Sequence, residues 1–123
     1  MPDPFLVEDG ALMIVASTIC AIAEALTLVQ AGGANLIRAR EVWLGGFAGS
    51  VILQAHGQRM IDENFTPGGP AKYQLKDTTT ALDHAGRLGL HLPVTTAVDG
   101  LFAAMVAHGD GDLDHSGLFR LYE

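Results

Sequence analysis

The stretch from Glu8 to Gly33, EDGALMIVASTICAIAEALTLVQAGG, decides the fold. Its central twenty residues, Ala11 to Gln30, carry one charge, Glu24. Such a run is an export signal, a membrane span or a buried helix. A signal needs a positive region ahead of the apolar stretch, and the leading residues here include Asp3, Glu8 and Asp9 with no Lys or Arg. A span would be long enough at about 1.5 Å per residue. It would bury Glu24 near its middle at about 2.5–3.5 kcal/mol, however, and no Trp or Tyr marks either edge. The buried helix is favoured, with no membrane partner, and its near-uniform apolarity predicts cover on every side.

The remaining chain reads as helical, without the alternating β-branched segments of a sheet. Gly32 and Gly33 stop the first helix near Ala31. Asn35 caps a second over 36–44, with Leu36, Ala39, Val42 and Trp43 on one face. GGFAGS (45–50) breaks it, and Ser50 caps a third from Val51 to about Ile61. DENFTPGGP (62–70) is a loop too short to separate two domains. A fourth helix runs from near Pro70 to about Leu88, with Leu75, Thr79, Leu82, Ala85 and Leu88 at helical spacing. Pro93 opens a fifth, with the stripe Val94, Ala97, Val98, Leu101, Phe102 and Met105, and Asp114 caps a short last helix. The expectation is an all-α fold: a short arm, residues 1–10, then one compact domain, residues 11–123, of about six helices around the long apolar first one.

With 123 residues, 49% of them apolar and only 17% charged, apolar surface is plentiful for one small domain, and some of it is expected in an interface. The net charge of −7 with dispersed Lys and Arg excludes a nucleic-acid stripe. The lone Cys20 allows no internal disulfide and fits a reducing, cytoplasmic compartment.

The chemical motifs are sparse. Asp110, Asp112 and Asp114 alternate as in an EF-hand, but His115 stands where the turn requires Gly and Leu121 where a bidentate Glu belongs. A turn feeding a helix cap is the reading. His56, His84, His91, His108 and His115 show no helical pair of metal ligands, so no metal site is expected and each is placed at a surface or helix end. Asp83 and His84 are sequence neighbours that point apart on a helix, with no nucleophile beside them. GGFAGS lies between helices with the wrong spacing for a dinucleotide-binding turn. Glu24 reads as a rim or hydrogen-bonded carboxylate. In YQLKDTTTALDHAG (73–86), Lys76 and Asp77 follow a flexible TPGG loop near the start of a helix, where a lysine either reaches into a cleft or stays solvated.

Taken in order, AEALTLVQAGGANL, GGFAGS, HGQRMI, NFTPGG, LKDTTTALDHAGRLGLHLPVT and GDGDLDHSGL resemble the C-terminal domain of the β-hydroxyacid dehydrogenases, a family that includes 3-hydroxyisobutyrate dehydrogenase and relatives of 6-phosphogluconate dehydrogenase. The resemblance covers about Ile22 to Leu121. It implies a helical domain that follows a Rossmann domain binding NAD or NADP, an active site in the cleft between them, and dimers through the helical domains. It also implies a catalytic lysine and an asparagine on the first helix, and a later lysine approaching the cofactor. Lys76, with Asp77, matches that later lysine and is the candidate cofactor-side pair.

The catalytic lysine would fall near Glu8 and the asparagine near Ala11, so no catalytic residue is assigned, and Gly69 replaces a frequent aromatic. The chain alone is expected to bind no cofactor and to be inactive as a dehydrogenase, because a lost general acid/base costs about 10²- to 10⁴-fold and hydride must come from the cofactor. Three readings remain open: a detached dehydrogenase domain, a repurposed helical dimer that binds small molecules or proteins, and one subunit of a split enzyme completed by a separate Rossmann chain.

Overall fold

The computed structural model describes residues 4–123, which form six helices with no strand. Helix α1 (Phe5–Ala31) begins six residues ahead of the expected Ala11, so residues 5–10 of the expected arm are helical and residues 1–3 lie outside the described part. It ends where Gly33, at φ +83°, lets the Ala34 N–H reach back to the Val29 carbonyl at 2.9 Å, a turn that side chains with a Cβ resist.

Helix α2 (Leu36–Leu44) starts at Asn35, whose side chain accepts from the Arg38 N–H at 3.0 Å. The Ser50 hydroxyl likewise accepts from the Leu53 N–H at 2.9 Å. The third helical stretch is less regular than its spacing suggests: a wide π-helical turn over Leu53–Gly57 leads into α3 (Gln58–Asp62). Helix α4 (Ala71–Arg87) follows the loop, and α5 (Pro93–Met105) runs on into a second π-turn, Val106–Asp110. The last element is a 3-10 helix (His115–Tyr122) capped by Asp114.

The core gathers along one side of α1. Ala16, Ile19, Ala23 and Leu26 meet Leu53, Met60, Phe102, Met105 and Leu118, all essentially without solvent contact. Cys20 is buried and free, and burial, aided by Glu24, pushes its thiol up to about 12, the state of an unreactive thiol. Glu24 itself is exposed and accepts a hydrogen bond from the Tyr122 hydroxyl at 3.0 Å, tying the first helix to the last.

The expected all-round cover of α1 is not found within these residues. Val7 is 83% exposed, Ile14 66% and Leu28 73%. Together with Ala11, Thr18, Ala21 and Ala25 they form a row spaced alternately by four and three residues, the repeat of a seam between two helices. Although α1 is long and apolar enough to cross a bilayer, it is the core helix here on its other face.

The buried faces of α4 and α5 agree only in part with the expected rows. On α4 the buried side chains are Ala71, Gln74, Thr78, Ala81 and Ala85; of the expected row Ala85 is buried and Leu75 packs against the core, but Thr79 is exposed and Leu88 is 60% exposed. The reason is polar satisfaction. Thr78 and Thr79 both donate to Asp99 Oδ1 of α5 at 2.8 Å, while Gln74 contacts His115, so polar and small residues let α4 approach its neighbours closely. On α5 Val98, Phe102 and Met105 of the expected stripe are buried and Leu101 packs against the core, with Thr95 buried in addition, while Val94 is 65% exposed.

Candidate functional site

The first turns of α1 lie against α4, and this junction collects the residues singled out from the sequence. Glu8 is exposed on α1, Lys76 is exposed on α4, and Asp77 is half-buried beside it. Burial pushes the Asp77 carboxyl above its ordinary range; Lys76 counters this, while the negative charges of Glu8 and Asp9 add to it. The fold therefore brings Glu8, Asp9, Lys76 and Asp77 within electrostatic reach of one another. Ala11 is exposed one turn along α1.

His84 projects from the same region of α4. It pairs through Nδ1 with the Asp9 carboxylate of α1 rather than with its sequence neighbour Asp83. Because an ionised carboxylate can only accept, Nδ1 carries the proton, and His84 also lines a cavity of about 200 Å³ together with Leu6, Arg87 and Leu88. Seventy-five residues separate the two partners, and no local pattern could have joined them.

The three alternating aspartates diverge. Asp112 is exposed and pairs with Lys72 Nζ at 2.6 Å, and Asp110 lies 3.6 Å from Arg120. Asp114 is buried and works as a hub. Its Oδ1 accepts from the N–H groups of Gly68 and Gly69 at 3.0 Å each, and its Oδ2 accepts from the Ser116 N–H at 3.0 Å and the Ser116 hydroxyl at 2.5 Å. Burial opposes the charge, but these four donors outweigh it and hold the carboxyl at about 2. The hub clamps the TPGG loop to the 3-10 helix, helped by backbone bonds from Asp114 to Phe65 and from His115 to Gly69.

Around the hub the fold assembles a second polar cluster. His91 and His108 are exposed, and His56 and His115 sit at helix ends, as expected; what the expectation lacked is that these last two are partly buried and meet each other. The π-turn presents His56, and the cap of the 3-10 helix presents His115. Their Nε2 atoms are 3.2 Å apart, His115 Nδ1 is 3.0 Å from Gln74 Oε1, and His56 Nδ1 is 3.6 Å from Asp114 Oδ2. Burial holds both imidazoles below the usual histidine range and so keeps them neutral at neutral pH. Gly69, where the resemblance leads one to expect an aromatic, packs on the His115 ring, and a Cβ added there would meet the ring at 3.4 Å, ordinary van der Waals contact.

Comparison with known proteins places this arrangement. Residues 11–122 match the family described as "NAD-binding of NADP-dependent 3-hydroxyisobutyrate dehydrogenase". The chain is 42% identical over 111 residues to 2-hydroxy-3-oxopropionate reductase of Escherichia coli, covering 90% of this chain and 38% of that protein. It is 30% identical over 109 residues to a probable mitochondrial 3-hydroxyisobutyrate dehydrogenase-like protein of Arabidopsis thaliana, covering 89% of this chain and 33% of that one. In fold it is similar to 3-hydroxyisobutyrate dehydrogenase of Salmonella typhimurium, with a TM-score of 0.90 at 23% identity over 94% of this chain and 40% of the other. The chain thus spans well under half the length of these proteins. It belongs to the 3-hydroxyisobutyrate dehydrogenase family, and what it carries is that family's C-terminal helical domain.

Proposed function

We propose that these 123 residues act as the helical half of a hydroxyacid dehydrogenase assembly, pairing with a second copy along α1 and performing no hydride transfer by themselves. The observation that carries the reading is the charge at the α1–α4 junction, where Glu8, Asp9 and Asp77 face a single amine, Lys76. A catalytic lysine at Glu8 would supply both a proton and a positive charge for an anionic substrate. The acid there supplies neither, at a cost of about 10²- to 10⁴-fold for the proton transfer alone. Lys76 and Asp77 remain the side chains that would approach a cofactor brought by a dinucleotide-binding domain.

Pairing follows from α1. Its uncovered row is flanked by shallow apolar grooves of about 470 Å³, lined by Met13, Ile14 and Val94, and about 430 Å³, lined by Ile22, Trp43 and Leu53. Small residues at Thr18, Ala21 and Ala25 permit a second helix to approach closely. Sedimentation should give about twice the chain mass, and Ala21→Arg should give a monomer. Calorimetric titration with NAD, NADP and small hydroxyacids should give no heat, and the mixture no change in reduced-nicotinamide absorbance. A parent monomer refutes the pairing, and turnover refutes the inactivity.

The Trp43 groove supports a second reading, a repurposed binder of small apolar molecules. Saturable quenching of Trp43 fluorescence by such a ligand, in a protein silent to nicotinamides, would favour it.

A further inference from the structure

His56 and His115 form the middle of a polar chain that runs from Gln74 to Asp114, and the protons along it can be counted. Gln74 Oε1 accepts the His115 Nδ1 proton at 3.0 Å. His115 Nε2 is then a lone pair, so His56 donates its Nε2 proton across the 3.2 Å contact between the rings. That leaves His56 Nδ1 bare, buried without a hydrogen bond and 3.6 Å from Asp114 Oδ2. A single proton thus joins the two rings, and the pair has room for two more.

The two added protons act in opposite ways. The first belongs on His56 Nδ1, beside the Asp114 carboxylate, and it leaves the Nε2 donor in place, now charge-assisted. The second has only His115 Nε2 to go to, which puts a hydrogen on both facing nitrogens and removes the acceptor, so the contact is lost. The charge balance runs the same way. Two imidazolium rings would share the one buried carboxylate, Asp114, with Arg59 of α3, 3.8 Å from it. Arg40 of α2 brings further positive charge to the π-turn, where it donates to the Gln54 carbonyl at 2.8 Å. The acids and bases of the other packed elements are engaged elsewhere: Glu24 of α1 with Tyr122, Asp62 of α3 with Gln58, Lys72 of α4 with Asp112, Asp99 of α5 with Thr78 and Thr79, and Arg120 with Asp110.

From this arrangement we propose that the His56–His115 contact is an acid-sensitive latch between the π-turn and the 3-10 helix, kept by the first added proton and opened by the second. His56, with its side chain 19% exposed, is the partner free to turn outward. Its departure lets water reach Gln74, 5% exposed and with an unpartnered Nε2, on the helix that bears Lys76 and Asp77. Asp114, held at about 2, stays ionised throughout. Its bonds to Gly68, Gly69 and Ser116 therefore keep the TPGG loop in place, and the opening is confined to the π-turn and α3. Burial sets the sign, since the closed rings lie below the ordinary value of 6.5. The open form takes up protons first, and the latch weakens as pH falls below that value.

The test is amide hydrogen exchange of the full chain, read by NMR between about pH 7 and pH 4 and corrected for the intrinsic rate, with long-range proton–nitrogen spectra of the histidine rings. Protection over residues 53–62 should fall by up to about tenfold per pH unit for each proton taken up on opening, while the core amides of α1 keep theirs. The ring spectra should show His56 protonated on Nδ1 before His115 is protonated on Nε2. His56→Gln, whose amide still donates to His115 but carries no charge, should stay protected over the same range. His91→Gln and His108→Gln should open as the parent does. Constant protection over 53–62, a fall shared equally by α1, opening of His56→Gln at the parent's pH, or a first proton on His115 would overturn the proposal.

Discussion

Replacing Asp114 with Asn tests the hub that joins the two ends of the fold. The substitution keeps the shape but turns one acceptor oxygen into a donor facing N–H or hydroxyl groups that are already donors. Its magnitude follows from the carboxyl's own titration. A fall from the ordinary 3.8 to about 2 means that the folded protein favours the ionised form by about 2 kcal/mol. A neutral amide forfeits at least that much, so Asp114→Asn should lose about 2–3 kcal/mol at pH 7, or about 8 °C of melting temperature in a domain of this size. The sign with pH is fixed. A carboxyl whose folded value is depressed stabilises the protein above its unfolded value and loses that contribution as pH falls through the folded one. The gap between parent and variant should be full above about pH 5, close to half at pH 3 and nearly gone at pH 2. Urea titrations at pH 7, 4 and 3, at one fixed protein concentration, measure it. A loss under about 0.5 kcal/mol at pH 7, or a gap that does not shrink with acid, would refute the hub.

Two further substitutions probe other features. Glu63, which ends α3, sits in the left-handed region at φ +52°; Glu63→Gly should therefore stabilise the protein by about 0.5–1 kcal/mol in the same urea assay, and destabilisation would show that the side chain has a role beyond the turn. Glu8→Gln removes one of the charges that raise the Asp77 carboxyl, so carbon-detected NMR titration should find Asp77 acidified, and an unchanged titration would separate the two groups.

What could be read along the chain was whatever depends on near neighbours. Asn35, Ser50 and Asp114 mark helix starts by short polar contacts that lie three residues on or fewer, and Gly33 marks a stop by its own backbone freedom. Part of the face of α4 was misread because periodicity weighs apolarity, whereas Gln74 and Thr78 are buried by virtue of partners 41 and 21 residues away. The meeting of His56 with His115 spans 59 residues and depends on a π-turn, an irregularity that no propensity scale signals. The proposed departure at Glu8 rests on the family resemblance alone, since an exposed acid in the first turns of a helix is otherwise ordinary.

The tie between Glu24 and Tyr122, and the burial of Leu118 and Phe119 against the core around α1, bear on how this protein is made. Helix α1 is translated as a long apolar segment well before the side chains that finish its cover, Glu24 and Tyr122 lying 98 residues apart. Throughout that interval the nascent chain carries a sticky rod with part of its sheath still untranslated. Contacts of such long sequence separation also close slowly once the chain is released. Yield in the cell should therefore respond to holdase capacity and to a slower rate of translation more than to the stability of the finished fold.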